Sequence, residues 1–119
     1  MFENALKIFD LSGKIALITG ASKGLGKAFA TALAEAGATP ILVARNQSEL
    51  EKTGKEIAQI NPQCTWYAVD ITKEAEIEKV VNKIIDQFGK IDILVNNAAT
   101  GRINLPPEET SLEQWNFVI

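Results

Sequence analysis

Three glycines fall within Thr19-Gly20-Ala21-Ser22-Lys23-Gly24-Leu25-Gly26, directly after the apolar run Ile15-Ala16-Leu17-Ile18 and directly before a helical pattern. A strand-to-helix turn needs one flexible residue, so three assign the segment a further task. Gly20 suits the sharp turn off the strand, Gly24 a close approach of backbone to a diphosphate, and Gly26 tight packing of helix on sheet. Backbone N–H groups and the dipole at the start of the helix then favour a phosphate there. The spacing is Gly-x₃-Gly-x-Gly. It differs from the G-x-G-x-x-G dinucleotide pattern, and also from the G-x-x-x-x-G-K-[S/T] phosphate loop. Five residues separate Gly20 from Gly26-Lys27, and Ala28 stands where a magnesium-binding hydroxyl would be needed.

Downstream of the loop, Leu25, Ala28, Phe29, Ala32, Leu33 and Ala36 recur at i, i+3, i+4, i+7, i+8, i+11. That period predicts the buried stripe of one helix, stopped by Gly37. A second apolar run, Ile41–Ala44, leads to a helix carrying Leu50, Ile57 and Ala58, with Ser48 and Glu51 as a capping box. Gly54 weakens that helix by ~1 kcal/mol against Ala, and Asn61-Pro62 ends it. The run Cys64–Val69 reads as a third strand. A third helix has Ile77, Val80, Val81, Ile84, Ile85 and Phe88 on one face and Gly89 at its close. The run Ile91–Val95 is a fourth strand, and Ser111 with Gln114 resembles the cap of a fourth helix. None of the strands alternates strictly between apolar and polar, which fits a parallel sheet covered on both faces. The expected fold is a doubly wound α/β sheet of order β-α-β-α-β-α-β.

The 119 residues leave room for one domain, 1–119, with 1–12 as a lead-in. A net charge of −3 does not favour nucleic acid or anionic membranes. With one cysteine and no histidine, the chain has no internal disulfide, no Ser-His or Cys-His dyad, and none of the common zinc sites; no metal is expected. The first residues lack a signal-peptide pattern, and no apolar run is long enough to span a bilayer. A cytoplasmic protein is expected.

A dinucleotide fold of this kind usually places Asp or Glu about 20 residues beyond the loop, to hold the ribose 2′-hydroxyl. Here that stretch is Ala44-Arg45-Asn46, with no acid. A guanidinium can pair with a 2′-phosphate through two parallel hydrogen bonds, and Lys23 offers a second positive charge. Either residue would also be unremarkable on a solvated surface, but their placement favours NADP(H) over NAD(H). Asp70 follows the third strand and has two readings: an acceptor for an adenine amino group, or a cap for the third helix in competition with Thr72. Asn96-Asn97-Ala98-Ala99 follows the fourth strand, where asparagine can tie strand ends together.

Taken together, these four segments resemble the classical short-chain dehydrogenase/reductase family, from about Leu11 onward. The entry Phe9–Lys14 and the run Gly89–Val95 are similar as well. The resemblance implies that Gly20, Ala21, Ser22, Lys23 and Gly26, in a loop completed by Gly24 and Leu25, line the pyrophosphate and ribose. It implies that Arg45 reads the 2′-phosphate and that Asp70 and Ile71 hold the adenine. Asn97 and Ala98 would lie beside the ribose and nicotinamide. Ala99 replaces the glycine that usually ends the family's last motif, and it restricts the backbone there.

The activity implied is hydride transfer between a nicotinamide and a small carbonyl or alcohol substrate, in a full-length homo-oligomer. The family's chemistry uses Asn, Ser and a Tyr-x-x-x-Lys pair. This sequence has one tyrosine, Tyr67, followed four residues later by Ile71, and Asn116 comes too early to be the family's asparagine. No catalytic residue is assigned: the chain is expected to be the N-terminal, cofactor-binding portion of such an oxidoreductase, truncated before its catalytic residues, inactive, and marginally stable or prone to aggregate by itself. Gly101–Trp115 faintly resembles the sugar-acid and polyol members, such as gluconate 5-dehydrogenases. Two other classes share part of this pattern: a stand-alone nucleotide-binding or interaction module, and a methyl-transferring Rossmann protein. The second of these prefers an acid where Arg45 stands.

Overall fold

The computed structural model describes residues 9–97. Four strands, β1 (Ile15–Thr19), β2 (Thr39–Ala44), β3 (Thr65–Ala68) and β4 (Ile93–Asn96), alternate with three helices, α1 (Gly24–Glu35), α2 (Gln47–Ala58) and α3 (Glu74–Phe88). The sheet is parallel, in the order β3-β2-β1-β4. The chain steps outward from β1 through β2 to β3, then returns to the other side of β1. Right-handed crossovers put the helices of the outward steps on one face and the helix of the return on the other.

The core divides accordingly. Ala16, Ile18 and Leu42 pack with Ala30 and Ala34 of α1 and with Leu50 and Ile57 of α2. Ile15, Leu17, Ile41 and Val43 pack with Val80 and Ile84 of α3. Successive side chains of β1 and β2 thus enter opposite cores, and β1 is buried along its whole length. That is the physical reason the strands show no polar face.

β2 begins earlier than its apolar run, with buried Pro40 near its start. The Thr39 N–H donates to Lys14 O on the β1 side, so alternation turns residue 40 toward β3. Pairing with β3 begins only at Ile41 opposite Thr65. The missing proline N–H therefore falls where no ladder bond is needed.

Two details differ from expectation. In α1 the buried residues are Gly26, Ala30 and Ala34, not the stripe from Leu25 to Ala36. Leu25 is 63% and Phe29 40% exposed, Ala28 and Ala32 also face outward, and of that stripe Leu33 packs against the core. Small residues let the helix backbone approach the sheet, so the buried face is the one with the least side chain. In α2 the cap is Asn46, whose side-chain oxygen accepts the Glu49 N–H at 3.1 Å and the Ser48 hydroxyl at 2.9 Å. Ser48 lies inside the first turn and hands the cap position to the residue before the helix. The stripe of α3 holds, with Val80 and Ile84 buried and Ile85 as its exposed margin, and Gly89 ends the helix as expected. The lead-in is anchored where Leu11 N–H donates to Ala36 O at 2.8 Å. Ala98, Ala99, the Ser111–Gln114 cap, Asn116 and the Gly101–Trp115 stretch lie outside the described residues. Among the described residues no helix is long and apolar enough to cross a membrane.

Candidate functional site

All four strands run the same way, so their carboxyl ends share one edge of the sheet. This edge is where open α/β folds bind ligands. Gly20 leaves β1 there, Arg45 follows β2, Asp70 lies just beyond β3, and Asn97 follows β4. The expected residues that fall within 9–97 are thus gathered along one edge.

The glycine loop has the conformation its composition requires. Gly20 and Gly24 both have φ near +62°, a region that side chains with Cβ rarely adopt. A Cβ on Gly24 would meet nothing within 4 Å, so the backbone there faces open space. At Gly26 the constraint is contact: a Cβ would overlap the Gly20 carbonyl and lie 2.7 Å from Asn97 Nδ2. Ala21 is fully buried under the loop, and its N–H reaches Val43 O at 3.4 Å. Ser22 is half-buried, while Lys23, Gly24 and Leu25 are exposed. A loop that opens a helix and is exposed over Lys23–Leu25 suits a diphosphate.

A polar seam joins the loop to β4. Thr19 is 1% exposed, and its hydroxyl donates to Asn96 Oδ1 at 2.8 Å while accepting the Asn97 N–H at 3.1 Å. Asn97 Nδ2 donates to Gly20 O at 3.3 Å. The tie between strand ends anticipated for the asparagines is therefore present, and it runs through Thr19, which sequence reasoning had read only as the loop's first residue.

Arg45 is exposed, one residue before the α2 cap. Asp70 caps no helix: α3 begins after Lys73, which makes no side-chain cap bond. Instead Asp70 Oδ1 accepts the Thr72 hydroxyl at 2.6 Å and the Thr72 N–H at 3.0 Å, closing a local turn. Those two bonds hold the Asp70 carboxyl below its ordinary value against an opposing desolvation, with the positive charges of Arg45 and Lys73 adding less. Ile71 beside it is half-buried and packs on the α3 core.

Tyr67 lies within β3, partly buried, with Lys83 Nζ 5.8 Å from its ring centre. It is a packing residue on a strand, and Ile71 stands where the Tyr-x-x-x-Lys spacing would put the lysine. Cys64 is buried, and burial pushes its thiol up to about 12, which leaves it inert as a nucleophile. No group of three or more potential metal ligands occurs among the described residues. Sequence reasoning also passed over Thr53. Its signal was available, because it shares the i, i+3, i+4, i+7 stripe of Leu50, Gly54 and Ile57.

Comparison with known proteins places this arrangement. The family model for short chain dehydrogenases matches residues 14–119. The chain is 43% identical over 110 residues to a 3-oxoacyl-[acyl-carrier-protein] reductase of Vibrio cholerae, covering 92% of this chain and 43% of that enzyme. It is 36% identical over 111 residues to D-threitol dehydrogenase of Mycolicibacterium smegmatis, covering 93% and 42%. Its fold superposes on L-sorbose reductase of Gluconobacter frateurii, solved with NADPH and L-sorbose, with a TM-score of 0.74 and 37% identity. That match covers 92% of this chain and 41% of the other. The chain thus spans less than half the length of the curated relatives it matches, from 31% to 44%. With its parallel sheet, its glycine loop and the match along nearly all its length, the chain belongs to the short-chain dehydrogenase family.

Proposed function

We propose that these residues form the dinucleotide-binding part of an oxidoreductase that prefers NADP(H) to NAD(H). The observation that carries the reading is Arg45, exposed at the carboxyl end of β2 where an NAD-binding chain would present an acid. An acid there would repel a 2′-phosphate, whereas a guanidinium attracts it and matches its geometry. The crystallised sorbose reductase, a structural neighbour, was solved with NADPH.

The residues present suit the cofactor. The open cradle of Gly20–Gly26 would hold the diphosphate, and Lys23 would add a second positive charge beside Arg45 at the 2′-phosphate. Arg45 would pair with the 2′-phosphate, Asp70 and Ile71 would border the adenine, and Asn97, with Ala98 and Ala99, would follow toward the nicotinamide. When bound, the nicotinamide supplies or accepts the hydride exchanged with a carbonyl or alcohol carbon. This chain's own residues bind and orient the cofactor, and none of them is proposed as the acid or base. The whole enzyme would act on a small-molecule substrate as a cytoplasmic homo-oligomer, with residues 1–119 as one domain that binds without turnover.

The test is the ratio of NADPH to NADH affinity, measured by fluorescence titration. Loss of one charge-assisted pair, about 1.5–3 kcal/mol, should weaken NADPH binding to Arg45→Asp by roughly 10- to 150-fold. NADH binding should be little changed or improved. An unchanged ratio would refute the assignment. The alternative reading, a stand-alone nucleotide-binding or interaction module without catalysis, predicts in its interaction form that neither dinucleotide binds.

A further inference from the structure

Thr53 stands in the middle of α2 and is 3% exposed. A threonine in that position commonly turns its hydroxyl back to the carbonyl four residues earlier in its own helix. Thr31 does so in α1, donating to Lys27 O at 2.8 Å. Thr53 instead leaves its helix: its Oγ1 donates to the backbone carbonyl of Ser22 at 2.6 Å, across 31 residues of sequence. A buried hydroxyl and a loop carbonyl thereby satisfy each other.

The helix that carries Thr53 is held firmly. Leu50 and Ile57, on the same face, are 0% and 1% exposed. Gly54 lets the helix lie directly on Trp66, because a Cβ there would overlap the indole ring. An ion pair between α1 and α2, Lys27 to Glu56 at 2.6 Å, is solvent-exposed and adds little. The N-terminal end of α2 is capped by Asn46, directly after Arg45. On the loop side, a planar trans peptide joins the anchored Ser22 carbonyl to Lys23, whose own backbone is extended at φ −158°, ψ 171°. One helix therefore connects the carboxyl side of Arg45, through the Asn46 cap, to the peptide from which Lys23 departs.

We propose that Thr53 is a positioning residue for cofactor selectivity. It locks the Ser22–Lys23 peptide to α2, and so fixes where Lys23 stands relative to Arg45. The inference rests on the 2′-phosphate reading above and adds the element that keeps its two positive charges in register.

The experiment compares wild type, Thr53→Val, Thr53→Ser and Arg45→Asp in the full chain, with NADPH and NADH titrated separately and folding followed by circular dichroism. Valine keeps the shape and deletes the hydroxyl; serine keeps the hydroxyl. Loss of one hydrogen bond that orients a charged group should lower the NADPH-to-NADH affinity ratio in Thr53→Val by about fivefold. Most of that loss should fall on NADPH, and Thr53→Ser should restore the ratio. Equal weakening of both cofactors, or no change, would overturn the inference and leave Thr53 as packing alone. If Thr53→Val does not fold, the ratio in Thr53→Ser against Thr53→Ala decides by the same criterion. A wild-type ratio near unity, or an Arg45→Asp variant that leaves it unchanged, overturns the 2′-phosphate reading and this inference with it. Loss of selectivity in Arg45→Asp but not in Thr53→Val overturns this inference only.

Discussion

At the scale of the residue, the site depends on groups that are small or charged, and the two kinds fail differently. Gly26→Ala would drive a methyl into the Gly20 carbonyl, so the loop must shift. Overpacking of this kind costs about 1–3 kcal/mol, and the variant should lose dinucleotide binding and melt at lower temperature together. Gly24→Ala has open space around it but keeps φ at +62°. It should cost about 1 kcal/mol of stability from backbone strain, and its methyl, projecting into the space offered to a diphosphate, should also weaken NADPH binding. Chemical denaturation with a parallel NADPH titration reads both effects.

The charged residues respond to pH. There is no histidine, so no side chain has an ordinary titration near neutrality. The carboxyls of Asp10, Asp70, Asp92 and Glu56 are all held below their ordinary values: Asp10 chiefly by Ser12, Asp70 by Thr72, Asp92 by the Ile15 N–H, Glu56 by Lys27. A depressed folded value stabilises the fold above the unfolded value and is lost as pH falls through the folded one. Stability should thus be flat from pH 6 to 8 and decline below about pH 4. A phosphate monoester loses its second proton at about pH 6. Affinity for NADPH should therefore fall between pH 7 and 5 while affinity for NADH stays level; parallel profiles would contradict a 2′-phosphate contact.

At the scale of the element, hydrophobic period located every strand and helix within the described residues, because each element buries an apolar stripe against the sheet. The same period chose the wrong face of α1. It weights large side chains, whereas α1 meets the sheet through Gly26, Ala30 and Ala34. It also read Gly54 as a weakness of α2. The glycine is required by Trp66, a neighbour on β3 that no local pattern reveals. Gly54→Ala should therefore destabilise by about 1–3 kcal/mol from the overlap, exceeding the ~1 kcal/mol gained in helix propensity. A double variant with Trp66→Leu should recover part of that loss. Equal stability of wild type and Gly54→Ala would show that the indole moves aside freely. The position of the candidate site residues was legible at the strand ends, since Gly20, Arg45, Asp70 and Asn97 all follow apolar runs. It was not legible where it depends on contacts between distant elements, as for Thr19 with Asn96 and Thr53 with Ser22.

At the scale of the whole molecule, the described sheet pairs β4 on the β1 side only. The outward face of α1 leaves Leu25 63% and Phe29 40% exposed. An apolar hollow of about 170 Å³ also lies between α3 and the sheet, bordered by Leu17, Val80 and Leu94. Exposed apolar faces favour association. The 119-residue chain should bind a hydrophobic dye while folded and sediment with a mass that rises with concentration. A dye-silent monomer with a sharp, reversible melt would contradict this.

The central claim is that four strand ends, scattered through the sequence, act as one dinucleotide site. It is tested most directly by following backbone amide resonances of the isotope-labelled chain as NADPH is added. The account predicts saturable shifts at Gly20–Gly26, Arg45–Asn46, Asp70–Ile71 and Asn97 with a single dissociation constant, and weaker shifts at Arg45–Asn46 when NADH replaces NADPH. Shifts confined to one of these segments, or centred away from the carboxyl edge of the sheet, would contradict it.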